Sequence, residues 1–243
     1  MLKINSIGKT DIGMRRSNNE DAYLERLDLG VFAVADGIGG SAAGEIASRI
    51  FVETVQEVFE RGLYSETETS ALVQEVFRLA NERILVNTEE YPEHRGMGCT
   101  AELTAFSGDR YIVGHVGDSR TYLFRDGELR RITRDHSLVQ DQLEQGLISQ
   151  EEAKKHRLRN IVLRAVGIDS SVALDLIMGR MLPGDIFLLC SDGLTDMVDE
   201  ASIQETLASA HRLTEMVDQL IESAKTAGGN DNITVVLCQV STS

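Results

Sequence analysis

Apolar positions along the chain repeat with two different periods. Leu2 to Ile7, Ala22 to Leu27 and Val31 to Asp36 read as strands, the last two joined by the turn-forming Asp28-Leu29-Gly30. The period then becomes helical. Ile46, Ala47, Ile50, Phe51, Thr54, Val55 and Val58 recur at i, i+3 or i+4, and so do Leu72, Val73, Val76, Phe77, Ala80 and Ile84. Strand signals return at Thr100 to Phe106, Tyr111 to Val116, Arg120 to Phe124 and, after the hairpin dipeptide Asp126-Gly127, Glu128 to Thr133. From Asp135 to about Arg164 the pattern is polar and helical, with Ser149 and Glu152 at capping-box spacing. Val172 to Ile177 and Ile186 to Cys190 are predicted strands around Pro183-Gly184-Asp185. Helices follow near Glu200 to Ala210 and Leu213 to Ala224, and a last strand runs from Ile233 to Val240.

Strands and helices come in groups, which predicts an α+β fold and not a βαβ alternation. Two packed antiparallel sheets with a helix pair on each outer side, a four-layer α-β-β-α sandwich, would bury every apolar face. No composition shift marks a boundary, so residues 1–243 are expected to form one domain.

Charge narrows the function classes. Lys and Arg number 24 against 39 Asp and Glu, a net charge of −15 that disfavours nucleic acid and anionic lipid as partners. The longest apolar runs, Val31 to Ala35 and Ile186 to Cys190, are five residues long, too short to span a bilayer. The N-terminal MLKINSIGKTD lacks the apolar stretch of a secretory signal. Cys99, Cys190 and Cys238 are odd in number and without C-x-x-C spacing, so they read as buried thiols of a cytoplasmic protein. The charge is uneven. Residues 120–164 hold ten basic and seven acidic side chains, and Lys154, Lys155, Arg157 and Arg159 form a candidate landing strip for acidic segments of a partner.

Four aspartates share one context. Asp36, Asp118 and Asp192 each end an apolar run, and Asp231 opens one. Asp beside Gly at a strand end is ordinary turn chemistry. Four such ends converging would place about four negative charges together, which repel unless cations neutralise them. An oxygen-only set without His or Cys favours Mg²⁺ or Mn²⁺ over zinc. The loop Asp36-Gly37-Ile38-Gly39-Gly40-Ser41-Ala42-Ala43-Gly44 fails the dinucleotide template, because Ala42 stands where a glycine is needed. Gly8-Lys9-Thr10 lacks the first P-loop glycine, and a C-x₅-R thiolate site, G-x-S-x-G and H-E-x-x-H are all absent.

Arg16-x-x-Asn19-x-Asp21, Asp36-Gly37-x-Gly39-Gly40, Gly98-x-Thr100, Gly117-Asp118-Ser119-Arg120, Asp135-His136-Ser137, Ser191-Asp192-Gly193-Leu194 and Gly229-x-Asp231-Asn232-Ile233-Thr234 follow one another along nearly the whole chain. In this order they resemble the metal-dependent serine/threonine protein phosphatases of the PPM (protein phosphatase 2C) type, in the compact bacterial form. The resemblance implies an α-β-β-α sandwich with two tightly bound Mn²⁺ or Mg²⁺ ions and a third, weaker one. Asp36 would bridge two ions, the Gly37 carbonyl would hold one, and Asp192 and Asp231 the other. Asp118 with Asp192 would hold the third. Glu20, Asp21 and Asn232 would act through metal-bound waters, Arg16 would bind phosphate, and residues 135–164 would form a flap. The implied reaction is hydrolysis of phosphoserine and phosphothreonine by a metal-activated bridging water, without a phosphoenzyme. Phosphorylated proteins and a cognate Ser/Thr kinase would be its partners, and the enzyme would be a monomer. Ile38 stands where many eukaryotic members carry a His, so the leaving oxygen would be protonated from water at the metals. His115 reads as core, and His136 as able to orient the flap. The alternative is a non-catalytic relative that only binds phosphoproteins.

Overall fold

The computed structural model describes residues 2–39, 43–64, 67–209 and 211–242. Gly40, Ser41 and Ala42 of the glycine-rich loop and Ala210, the expected end of a helix, lie outside the described residues, as does the side chain of Lys154.

One sheet has the order β1 (Leu2–Asp11), β11 (Ile233–Thr242), β10 (Ile186–Cys190), β7 (Arg120–Arg125), β8 (Glu128–Arg131). The other runs β2 (Asp21–Arg26), β3 (Val31–Ile38), β5 (Ala101–Ser107), β6 (Arg110–Val116), β9 (Asp175–Arg180), with the two-residue β4 (Gly98–Cys99) paired to the end of β3. All these pairings are antiparallel. Helices α1 (Gly44–Gly62) and α2 (Thr69–Glu90) cover the second sheet, and α6 (Glu200–Ala208) and α7 (Leu213–Thr226) cover the first.

Side-chain parity shows why the central strands are apolar without interruption. On β3, Val31, Ala33 and Ala35 join the helices while Phe32 and Val34 face the other sheet. On β10, Ile186, Leu188 and Cys190 turn to α6 and α7, and Phe187 and Leu189 turn inward. A strand buried on both faces has no polar position to alternate with. Between the sheets, Phe187 packs edge-on against Phe106 and Tyr111, with centroids 5.2 and 5.0 Å apart. The three cysteines are free and buried, as expected. No helix among the described residues is long and apolar enough to cross a membrane.

Two expectations are corrected. The strand expected at Val172 to Ile177 starts later, at Asp175, because β9 pairs His115 with Asp175 and ends on Arg180 opposite Arg110. The flap is helical only at α3 (Leu138–Glu144) and α4 (Gln150–Lys154), the latter opened by the Ser149–Glu152 capping box. The rest of it consists mainly of turns, closed by the bridge Ser137–Val162.

Candidate active site

The antiparallel register brings five strand ends to one edge of the sandwich. Asp21 opens β2 directly opposite Asp36 near the end of β3. Asp118 follows β6, Asp192 follows β10 at the start of the short α5 (Asp192–Thr195), and Asp231 precedes β11. Gly193 makes the last approach possible, since a Cβ there would lie 1.9 Å from the Asn232 carbonyl oxygen.

The two sheets are joined at this edge through Asp21. Its Oδ2 accepts from Ser191 Oγ at 2.7 Å and Thr234 Oγ1 at 2.6 Å, both on the opposite sheet's side, while its Oδ1 is buried without a hydrogen bond. Asp192 Oδ1 is likewise buried and unpartnered. Asp36 is held through its backbone: its N–H donates to Thr100 Oγ1 at 3.1 Å and its carbonyl accepts from Thr100 N at 2.9 Å. A Cβ at Gly44 would sit 2.9 Å from both Glu20 Oε2 and Gly37 O, so those two oxygens face the same small space.

Electrostatics follow from this crowding. Burial first, then the charges of Asp21, Asp192, Asp118 and Asp231, raise Asp36 well above the ordinary carboxylate range. Asp192 is raised by burial, then by Asp118, Asp196, Asp231 and Asp21. Burial pushes Asp21 up to about 6, against the hydroxyls of Thr234 and Ser191 that favour its charge. Asp118 is pushed to about 6 by burial and then by Asp135. Such a cluster is short of positive charge.

Orphaned buried carboxylate oxygens and an all-oxygen donor set fit hard divalent cations. Among the described residues no three of these side chains already close on one point as a ligand set. At Asp231 both carboxylate oxygens already have partners. Its Oδ2 accepts from Arg16 Nη2 at 2.7 Å and its Oδ1 from Asn232 N at 2.8 Å. Arg16 and Asp231, expected to hold phosphate and metal, are paired with each other here. The Arg16 side chain is 49% exposed, and an exposed pair of this kind is worth at most about 1 kcal/mol, so a cation at Asp231 can displace it.

Asn232, expected to act through a metal-bound water, makes direct bonds here. Its amide donates to Ile12 O and Asn18 O and accepts from Glu20 N, so it ties the Arg16 loop to β11. Glu20 lies half-buried at the rim, raised by burial and lowered by Arg16. Ser191, Thr234 and Thr100 carried no role in the sequence reading, though each stands inside a motif. Asp196 was missed altogether. It lines, with Asp118, Asp192, Val139, Leu143 and Arg159, a cavity of about 740 Å³ between the flap and α5–α6.

The family model described as protein phosphatase 2C matches residues 13–238. The chain belongs to the protein phosphatase 2C family. It is 36% identical over 236 residues to serine/threonine phosphatase stp of Listeria monocytogenes, covering 95% of this chain and 94% of that one. The crystal structure of the serine/threonine phosphatase PstP/Ppp of Mycobacterium tuberculosis superposes with a TM-score of 0.92 at 36% identity, over 100% of both chains. The catalytic domain of PstP in complex with two manganese ions gives a TM-score of 0.91, also at 36% identity and full coverage of both. The resemblance seen in the motifs and the expected sandwich are both borne out.

Proposed function

We infer that the chain is a metal-dependent protein serine/threonine phosphatase that hydrolyses phosphoserine and phosphothreonine monoesters without a covalent phosphoenzyme. The observation that carries the reading is the cluster of buried carboxylates with unpartnered oxygens at one sandwich edge. Burial raises the thiols of Cys99 and Cys190, which leaves them poor nucleophiles.

Asp36, the Gly37 carbonyl, Asp192 and Asp231 would hold two Mn²⁺ or Mg²⁺ ions, and Asp118 with Asp192 a third, weaker one; the two manganese ions of PstP's catalytic domain support the pair. Bound there, the ions would neutralise charge and acidify a water for attack on phosphorus. The chain's own groups do the rest. Thr100 fixes the Asp36 backbone, and Asp21 locks the two sheets together beneath the cleft through Ser191 and Thr234. Arg16, freed from Asp231, would neutralise the phosphoryl oxygens as charge builds on them. Ile38 has no proton to give, so the leaving oxygen takes none from that position.

Phosphorylated proteins are the substrate class. A cognate Ser/Thr kinase and a monomeric enzyme complete the proposal, and the free, buried thiols support a reducing, cytoplasmic setting. The test is phosphate release from a phosphoserine peptide. Excess EDTA should abolish it and Mn²⁺ or Mg²⁺ should restore it; full activity in EDTA would overturn the reading.

A further inference from the structure

Two motifs far apart in sequence, Gly117-Asp118-Ser119-Arg120 and Asp135-His136-Ser137, are clasped in the fold. Gly117 lies in the left-handed region at φ +112°. Its N–H donates to His136 Nδ1 at 3.1 Å, and the His136 N–H donates back to Gly117 O at 2.7 Å. On the other side of Asp118, Arg120 binds Asp135 in a bidentate pair, Nε to Oδ1 at 2.9 Å and Nη2 to Oδ2 at 2.7 Å. Asp118 is therefore anchored at both flanks by the root of the flap.

His136 is itself fixed. Its ring lies on that of His115, with centroids 4.5 Å apart, and the His136 carbonyl accepts from Leu163 N at 2.7 Å. A backbone N–H can only donate, so Nδ1 must be unprotonated and the ring proton belongs on Nε2. Nε2 faces Asp175 Oδ2 at 3.2 Å; Arg164 Nη1 lies 3.1 Å from Nε2 and 3.2 Å from Asp175 Oδ1, and with the ring proton on Nε2 it is the carboxylate that accepts from the guanidinium. Burial, then the neighbouring His115, push His136 down to about 4, which keeps that neutral tautomer at neutral pH. Beneath it His115 is buried between Glu102 and the Arg134 carbonyl.

Asp118 needs such a hold. It stands among carboxylates that repel it, and a loose turn would let its side chain swing toward solvent. We propose that His136 is a positioning residue: through its Nδ1 acceptor it holds the Gly117 turn and so aims the Asp118 carboxylate into the cleft, coupling the flap root to the weakest cation position. The ligand role of Asp118 rests on the reading above; the clasp does not.

The experiment compares His136→Phe, which keeps ring packing without an acceptor, with His136→Asn, whose Oδ1 takes the place of Nδ1. Amide hydrogen exchange at Gly117 is read by NMR in metal-free protein, and Mn²⁺ binding by calorimetry. In His136→Phe the Gly117 amide should exchange about tenfold faster or more, because an unpaired N–H at this turn favours opening. The weakest Mn²⁺ step should lose affinity by a similar factor while the tighter steps hold. His136→Asn should recover both. Unchanged Gly117 exchange in His136→Phe, or no recovery in His136→Asn at an unchanged Tm, would overturn the proposal. If His136→Phe does not fold, His136→Gln removes the acceptor from the δ1 position and is read the same way. A wild-type titration without a weak third step would overturn the ligand role of Asp118 alone, and Gly117 exchange would still decide the clasp.

Discussion

At the scale of single residues, the site is a balance between carboxylates that repel and the few groups that hold them. Arg16 is a cation at the rim of the cleft, and it rests on Asp231. A charge-assisted contact to a phosphoryl group is worth about 1.5–3 kcal/mol, so Arg16→Ala should lower kcat/KM by roughly 10- to 150-fold. Metal affinity should not fall, since the substitution removes a competitor for Asp231; calorimetry alongside kinetics checks both. Asp36 behaves in the opposite sense. Its carboxyl is raised well above the unfolded value of 3.8, chiefly by burial. The native state therefore favours the protonated form, and the stability this contributes is lost as pH rises above the unfolded value. In EDTA, Asp36→Asn should melt at a higher temperature than wild type at pH 7, with the gap closing toward pH 4, while its Mn²⁺-supported turnover collapses. Equal melting temperatures at pH 7 would mean that the other aspartates do not press on Asp36 as the structure implies.

At the scale of elements, the flap shows how pairing changes a charge count. Residues 120–164 carry ten basic side chains against seven acidic ones, with Lys154, Lys155, Arg157 and Arg159 the candidate landing strip. In the fold Arg120 and Arg131 pair with Asp135, Arg125 with Asp185, Arg134 with Asp141 and Glu144, Arg159 with Asp196, and Arg164 with Asp175. Lys155 and Arg157, exposed beyond the end of α4, make no ion pair among the described residues. Among the described side chains, substrate steering by the flap then narrows to these two. Lys155→Ala with Arg157→Ala should raise KM for a phosphoprotein and weaken its salt dependence, because surface charges act over about 8–10 Å at moderate salt. Hydrolysis of a small aryl phosphate should be unmoved. Equal loss on both substrates would instead make the flap tip part of the catalytic support.

At the scale of the whole molecule, the sandwich carries a cost at its own active edge. Three apolar layers hold it: helix against sheet on both outsides, and sheet against sheet at Phe32, Phe187 and Val236. The cleft sits where the two sheets end, and Asp21 is the polar tie across it. Cations that bind only the native state must stabilise it by mass action, about 2.7 kcal/mol per site at a hundredfold excess over Kd. For a chain of this length that corresponds to roughly 5–10 °C in Tm. A thermal melt of the EDTA-treated protein with and without Mn²⁺ should show such a rise. No rise would argue that the acidic edge holds no ion tightly.

The alternation and runs of apolar residues were enough to establish nearly every strand and helix, because burial on one face or two leaves a periodic record in the chain. The motif order picked out Asp21, Asp36, Asp118, Asp192 and Asp231, which the fold gathers at one edge; Asp36, Asp118 and Asp192 stand beside a glycine at a strand end, while Asp21 opens β2 and Asp231 precedes β11. Weak or absent periodicity hid the rest. β4 is two residues long, α5 four, and the flap's turns carry no repeating apolar face. Partnership was also invisible. That Arg16 rests on Asp231, that Asn232 ties three backbone groups, and that His136 holds Gly117 depend on residues separated by 19 to 220 positions. Only the face-to-face packing of the two sheets brings those groups within hydrogen-bond reach, and the chain order does not record which donor meets which acceptor.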